Sequence, residues 1–230
     1  MMAGARKRRL DAPPLRVLIV DDHALVRRGL AELIDQQADL EVCGEAEDIS
    51  EALDIIEREQ PDFAVVDISL KDGSGLELIK QVKARYPDVR MLALSMHDEK
   101  LFAERALRAG AEGYLNKQEP AEKVIEAIRA VLDGRVYLSD EMADRVLHRL
   151  VDKDESVGKS LVDTLSDREL EVLELIGRGL TTRQIAKELH LSRKTIDTYR
   201  DHLKSKLQLK TANELVRYAV AWTLGKEPDG

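Results

Sequence analysis

Between Leu15 and Asp133, short apolar runs rich in β-branched residues alternate with segments of helical period, five times over, and this alternation restricts the fold more than any other feature. The runs are Arg16 to Val20 (RVLIV), Leu40 to Cys43 (LEVC), Phe63 to Val66 (FAVV), Val89 to Leu94 (VRMLAL) and Gly113 to Leu115 (GYL). Between them apolar residues recur at three and four spacing, as in Leu25, Gly29 and Leu33 or Leu76, Ile79 and Val82. Strand then helix, repeated, predicts an α/β domain: a doubly wound five-stranded parallel sheet with helices on both faces. Strands that are apolar nearly throughout fit a sheet covered on both sides. In such sheets the reactive groups gather at the carboxyl ends of the strands.

A helix from Pro120 to Leu132 closes this unit, Gly134 interrupts it, and Ser139 to Leu150 has the spacing of a further amphipathic helix. Asp152 to Ser160 (DKDESVGKS) is polar and without period, which places a linker there. Beyond it the pattern is all helical. Ser166 with Glu169, Thr181 with Gln184 and Thr211 with Glu214 have the spacing of capping boxes, and Ser192 can cap the segment that follows it. Apolar positions then mark four short helices: Leu170, Leu173 and Ile176; Ile185, Ala186 and Leu189; Ile196, Tyr199 and Leu203; Leu215, Tyr218 and Ala219. Tight turns are expected at Gly177 to Gly179 and at Leu189 to Ser192, and no internal repeat relates the two halves.

Composition narrows the function. The 230 residues carry a formal net charge of -8, which taken as a whole argues against nucleic acid, and only 3% are aromatic, which disfavours single-strand readers built on stacked rings. The charge is uneven. From Ser160 onward twelve Lys and Arg face eleven Asp and Glu, a balance of +1, leaving -9 for Met1 to Lys159. The single cysteine, Cys43, cannot form an internal disulfide, so a reducing, cytoplasmic setting is expected. No apolar run approaches the roughly 20 residues of a membrane span. Met1 to Leu10, with Arg6, Lys7, Arg8 and Arg9, lacks the apolar core of a secretory signal and is expected to be a disordered basic tail.

At the predicted strand ends stand Asp21 and Asp22, then Asp67, Ser95 and Lys117. Singly, each has an ordinary explanation: Asp22 could cap a helix and Lys117 could be a solvated loop charge. Together they would share one crevice. Three clustered carboxylates repel one another and need a cation. Oxygen ligands with open positions suit Mg2+, which keeps several waters and accepts phosphate oxygens. The chemistry predicted is phosphoryl transfer to a carboxylate nucleophile, with the metal and Lys117 neutralising charge.

The segments LIVDDH, AVVDISLKDGSGLEL, LALSMHD and GYLNK resemble, in order and spacing, the receiver domain of two-component response regulators, over roughly Leu15 to Asp133. The resemblance implies a flavodoxin-like fold with Asp67 as phosphoacceptor. It implies Asp22 as a direct Mg2+ ligand, Asp21 as a water-mediated one, and the backbone carbonyl of Ser69 as a further ligand. Ser95 and Lys117 would bind the phosphoryl group, and Tyr114 stands at the family's aromatic switch position, moving inward on activation, with ordinary core packing as the alternative. The chain departs from the family at Lys71, where proline is usual. Ser69 and His97 occupy positions that tune phosphoryl hydrolysis in the family; otherwise His97 is expected to be an exposed loop residue, and His23, His148, His190 and His202 show no metal spacing.

Thr181 to Leu207 has the form of helix, tight turn, helix, the unit that sets its second helix in the DNA major groove. That second helix, Ser192 to Leu207, carries Arg193, Lys194, Arg200, Lys204 and Lys206 against Asp197 and Asp201, a local balance of +3. A charged helix can equally be a solvated face. The stretch LSDRELEVLELIGRGLTTRQIAKELHLSRKTIDTYRDHLKSKLQL resembles the LuxR-type helix-turn-helix, and with the receiver the whole chain is similar to NarL/FixJ-family response regulators. The resemblance implies phosphate and positioning contacts by Thr182, Arg183, Arg193, Lys194, Thr195, Lys204 and Lys206 with double-stranded DNA. Asp197, Thr198 and Asp201 would face the bases. Many relatives have lysine where Asp197 stands; an aspartate can accept from cytosine but cannot grip guanine as a cation does.

The expected domains are a tail over 1–14, the receiver over 15–135, a helix and linker over 136–162 and the DNA-binding domain over 163–230. The expected partners are a sensor histidine kinase, DNA, RNA polymerase and, once phosphorylated, a second copy of the chain, with no membrane. Dimerisation through Ala212 to Leu224 and packing of that helix within its own domain fit the sequence equally. Two other readings compete. A regulator that ignores phosphorylation would not need Asp21, Asp22, Asp67 and Lys117. A phosphatase using an aspartyl-phosphate intermediate would want an aspartate where Ser69 stands.

Overall fold

The computed structural model describes residues 13–71, 73–151 and 161–224, without the side chains of residues 147–151 and 163. The expected linker and almost all of the expected basic tail lie outside the described residues, as does the side chain of His148. In chain order the elements are β1 (Leu15–Val20), α1 (Ala24–Asp35), β2 (Leu40–Ala46), α2 (Ile49–Glu59), β3 (Phe63–Asp67), β4 (Ser69–Leu70), β5 (Gly73–Ser74), α3 (Gly75–Arg85), β6 (Arg90–Ser95), α4 (Glu99–Ala109), β7 (Gly113–Asn116), α5 (Glu122–Leu132) and α6 (Asp140–Val151). A 3-10 turn (Leu161–Thr164) leads into α7 (Asp167–Gly177), α8 (Thr182–Glu188), α9 (Arg193–Lys206) and α10 (Ala212–Thr223). The chain divides into two compact units, Met1–Asp152 and Lys153–Gly230.

In the first unit the strands lie parallel in the order β2-β1-β3-β6-β7, with β4 and β5 forming a separate two-stranded antiparallel pair. The order reverses direction beside β1, so the crevice between β1 and β3 is the topological switch point where doubly wound sheets bind ligands. Every residue of β3 is buried, as a central strand between two helical layers requires. On one face Val17, Ile19, Phe63, Val65, Leu92 and Leu94 pack against Leu30 and Ile34 of α1 and Val124, Ile128 and Val131 of α5. Helices α2, α3 and α4 cover the other face. Each such side chain contributes about 1.5–3 kcal/mol when fully removed from water.

Differences from the expected boundaries are small and have local causes. Strand β2 runs on to Ala46 because its register with β1 shifts between Val17 and Leu18, letting Gly44 to Ala46 pair with Leu18 to Val20. Helix α5 starts at Glu122, two residues past Pro120, whose carbonyl accepts from the Lys123 N–H as the chain turns into the helix. After α5, Tyr137 bridges Gly113 in parallel, so the chain's own backbone covers the free edge of β7. Helix α6 then packs on α4, where the Ser139 N–H donates to Glu99 at 2.9 Å and Lys100 pairs with Glu141 at 2.6 Å.

In the second unit the caps decide where helices begin. Ser166 with Glu169 and Thr181 with Gln184 form complete capping boxes, and the Ser192 hydroxyl accepts from the Thr195 N–H. The third expected box closes differently: Thr211 caps Glu214, but the Glu214 carboxylate reaches past it to the Lys210 N–H at 2.7 Å. Helices α7 and α10 cross at Gly177, where a Cβ would stand 2.5 Å from the Ala219 carbonyl oxygen and 1.8 Å from the Thr223 hydroxyl.

Candidate phosphorylation site and DNA-binding surface

Four strand ends deliver the site. Asp21 and Asp22 follow β1, Asp67 ends β3, Ser95 ends β6 and Lys117 follows β7. Asp21, Asp67 and Ser95 are buried, at 1%, 2% and 0% exposure. The Lys117 ammonium lies 2.6 Å from Asp21 Oδ2 and 2.7 Å from Asp67 Oδ2. The Lys117 N–H donates to the Ser95 carbonyl at 2.7 Å, which places the lysine directly beside Ser95. Asp67 Oδ1 accepts from the Ser69 N–H at 3.2 Å.

Burial pushes the Asp67 carboxyl up, to about 6; the Lys117 ammonium opposes this and the Asp21 charge adds to it. Burial works against the Lys117 charge as well, but Asp67 and Asp21 outweigh it and hold its pKa above the ordinary lysine value. Three carboxylates against one ammonium leave a local excess of negative charge that a cation would balance. One ligand atom each from Asp21, Asp22, His23 and Asp67 lies within 4.8 Å of the others. The donor set fits a hard divalent cation, since the three buried donors are carboxylate oxygens.

The placements of His23 and His97 were not anticipated, and Tyr114 takes the core position. His23, set aside for want of metal spacing, sits at this cluster, with Nδ1 2.7 Å from Asp22 Oδ1 and 3.3 Å from Asp21 Oδ1. Its adjacency to two strand-end aspartates was the available signal. His97, expected to be exposed, is buried at 4%; its ring stacks on Phe102 at 4.5 Å and its Nε2 lies 2.8 Å from the Ser69 hydroxyl. Phe102 lies five residues on, in α4, and a ring at that spacing was the one hint. Tyr114, expected to move inward, is already inward: it is 1% exposed and its hydroxyl donates to the His97 carbonyl at 2.9 Å. The Ser95 hydroxyl accepts from the His97 N–H at 3.0 Å. Lys71, where the family usually has proline, follows β4 as an exposed turn residue.

In the second unit α9 buries Ile196 and Leu203 and exposes Arg193, Lys194, Asp197, Thr198 and Asp201. Thr182 and Arg183 lie at the start of α8, half-buried and exposed. Not every polar group on α9 is equally available. Thr195 shares a hydrogen bond with Ser192, Thr198 donates to the Lys194 carbonyl, and Lys204 pairs with Asp201 at 2.9 Å. Lys206 is held by the buried Glu169 at 2.6 Å, within the domain's own framework.

The family described as response regulator receiver domain matches residues 17–129, and the family described as bacterial regulatory proteins, luxR family, matches residues 163–219. The oxygen regulatory protein NreC of Staphylococcus carnosus is 36% identical over 210 residues, covering 90% of this chain and 97% of that one. A LuxR-family response regulator from Aurantimonas sp. SI85-9A1 is 32% identical, with a TM-score of 0.56 over 60% of this chain and 99% of that one. RcsB of Salmonella enterica serovar Typhimurium, solved on the promoter rprA with the phosphomimetic BeF3-, is 27% identical, with a TM-score of 0.58 over 90% of this chain and 98% of that one. A doubly wound receiver followed by a LuxR-type helix-turn-helix defines a transcription regulator governed by phosphorylation, not a classical enzyme. The chain belongs to the NarL/FixJ family of two-component response regulators.

Proposed function

We propose that Asp67 is the residue phosphorylated and that its state sets how the 163–230 domain engages DNA. The observation that carries this reading is the Lys117 ammonium, held within 2.7 Å of both Asp21 and Asp67 in a buried crevice at the switch point of the sheet. An Asp67 carboxylate oxygen attacks the phosphorus of the kinase phosphohistidine in line. The phosphorus–nitrogen bond breaks, its electron pair stays on the kinase imidazole, and an acyl phosphate remains on Asp67. Lys117 pairs with the new phosphoryl oxygens, and the Ser95 hydroxyl, accepting from the His97 N–H, donates its own proton to one of them. Mg2+, held by Asp21, Asp22, Asp67 and the Ser69 carbonyl, would supply further charge neutralisation.

The receiver is assigned to 15–135, the helix and linker to 136–162 and the DNA-binding domain to 163–230, after a tail over 1–14. Arg183, Arg193, Lys194 and Lys204, with Thr182 and Thr195, serve phosphate contacts, to which Lys206 adds only at the expense of its Glu169 pair. Asp197, Thr198 and Asp201 face the bases. The protein acts in the cytoplasm, as a homodimer when phosphorylated, with RNA polymerase as its downstream partner; among the described residues no helix is long and apolar enough to cross a membrane. RcsB dimers on DNA, at 26% identity and a TM-score of 0.54, support the dimeric reading by analogy.

The test is selection of DNA sites by the full chain with and without a small phosphodonor and Mg2+, for wild type and Asp67→Ala. Donor-dependent recovery of one motif by wild type alone is expected. Equal recovery by Asp67→Ala would sink the phosphorylation reading. In the same selection Asp197→Lys is expected to shift the preferred base at one position of each half-site from cytosine toward guanine, and an unchanged motif would remove Asp197 from base readout.

A further inference from the structure

Asn116 ends β7, directly before Lys117, and its side chain spans the two loops that carry the phosphoryl-binding groups. Its Oδ1 accepts from the Gln118 N–H at 2.9 Å, and its main-chain carbonyl accepts from the Glu119 N–H at 3.0 Å. These two bonds close a turn around Lys117, fixing its backbone from the carboxyl side. The sheet ladder fixes it from the other side, through the Lys117 N–H on the Ser95 carbonyl. A lysine side chain loses much rotamer freedom when held at one point, so a rigid backbone beneath it matters for keeping the ammonium between Asp21 and Asp67.

The amide's other end reaches the opposite loop. Nδ2 donates to the His97 carbonyl at 2.9 Å, the same oxygen that accepts from the Tyr114 hydroxyl at 2.9 Å. The His97 N–H is in turn bonded to the Ser95 hydroxyl. Both ends of the amide are assigned by their partners, since an N–H needs an acceptor and a carbonyl needs a donor. An aliphatic residue at this position would make neither bond. Aspartate would keep the turn but set a carboxylate oxygen against the His97 carbonyl.

We propose that Asn116 is a positioning residue for phosphorylation, locking Lys117 and the Ser95–His97 loop to each other so that both phosphoryl-binding groups stand ready before the donor arrives. The inference rests on Asp67 being the acceptor. Asn116 touches no reacting atom and lies outside the metal ligands, so its loss should slow phosphoryl transfer while leaving metal binding alone.

The experiment measures the rate of Asp67 phosphorylation by acetyl phosphate in the full chain, by intact mass, across Mg2+ concentrations, for wild type, Asn116→Leu and Asn116→Ser. Asn116→Leu is expected to slow the saturating rate roughly tenfold, the scale of one to two side-chain hydrogen bonds, with the half-saturating Mg2+ concentration unchanged. Asn116→Ser keeps a short acceptor for the turn but cannot reach His97, and is expected to slow it by less. A wild-type rate in Asn116→Leu, or in Asn116→Ser should the leucine variant not fold, overturns the proposal. A parallel loss of Mg2+ affinity also overturns it, by showing general damage to the site. If wild type itself takes no label at Asp67, the acceptor reading fails first and is seen to fail separately.

Discussion

At the scale of single residues, Asp67 meets opposing demands. Burial raises its pKa to about 6 because the site removes water from a carboxylate that the proposed function requires to be charged. The folded chain therefore binds this proton more tightly than the unfolded chain does. The stability Asp67 contributes is fully present below its ordinary value of 3.8 and is lost as pH rises through about 6. A gap of that size corresponds to on the order of 3 kcal/mol. Asp67→Asn, which removes the charge, is accordingly expected to melt higher than wild type at pH 7.5 without divalent cation, to match it near pH 3, below the ordinary carboxyl value, and to take no phosphoryl label. Thermal melts at the two pH values check this, and a variant less stable at pH 7.5 would show that the Lys117 attraction outweighs the cost of burial. The five site residues were legible in the sequence because parallel strand ends converge. His97 was not: its position follows from Phe102 beneath the ring, five residues on and only a weak local signal, and from Ser69 beside it, a contact 28 residues away.

At the scale of elements, the boundaries follow from caps and from close approaches of backbone. Gly75 opens α3, and a Cβ there would stand 1.8 Å from the Asp67 carbonyl oxygen and 3.0 Å from Ile68 Cα. The Gly75 N–H also donates to the Ile68 carbonyl at 2.7 Å, so the helix cannot back away without losing that bond. Gly75→Ala is expected to cost about 3 kcal/mol and to slow Asp67 labelling with it, read by urea unfolding and by phosphodonor kinetics. An unchanged unfolding midpoint would mean that β4 and β5 can shift freely. In α7, burial opposes the Glu169 charge, but Lys206 and the Ser166 N–H and hydroxyl outweigh it and hold the carboxyl below its usual range. The stability so gained is present above the ordinary carboxylate value and lost as pH falls through the depressed one. Glu169→Gln is expected to lose roughly 1 kcal/mol at pH 7, Lys206 being partly solvated, and the difference should close in acid melts as pH falls through the depressed value. The Ser166 and Thr181 boxes were legible as spacing alone. The Thr211 box was not, because which N–H the Glu214 carboxylate takes depends on the turn at Lys210, one residue outside the motif.

At the scale of the whole molecule, charge is partitioned between two units joined by one chain. Met1 to Lys159 carries -9 and the rest +1, so the DNA-binding domain is covalently tethered to a large negative charge. This division was legible in the sequence, since it requires only the linker's position. What the sequence hid is that Lys206 is held by the buried Glu169, which leaves Arg193, Lys194 and Lys204 on α9 and Arg183 on α8 as the cations that the proposed function sets against phosphate. Each phosphate neutralised adds about -0.9 to the slope of log affinity against log salt. Lys194→Ala should therefore flatten the slope by about 1 per protomer and weaken binding to all sequences alike, whereas Lys206→Ala should mainly lower the melting temperature. The acidic half should act in the opposite direction, repelling DNA over a distance set by the screening length, about 10 Å at 0.1 M salt and about 3 Å at 1 M. The full chain is then expected to bind its site more weakly than residues 153–230 alone at low salt, with the gap narrowing as salt rises. Fluorescence anisotropy titrations of both proteins on one duplex across a salt series measure this. A gap independent of salt would show that the receiver restrains the DNA-binding domain by contact and not by charge.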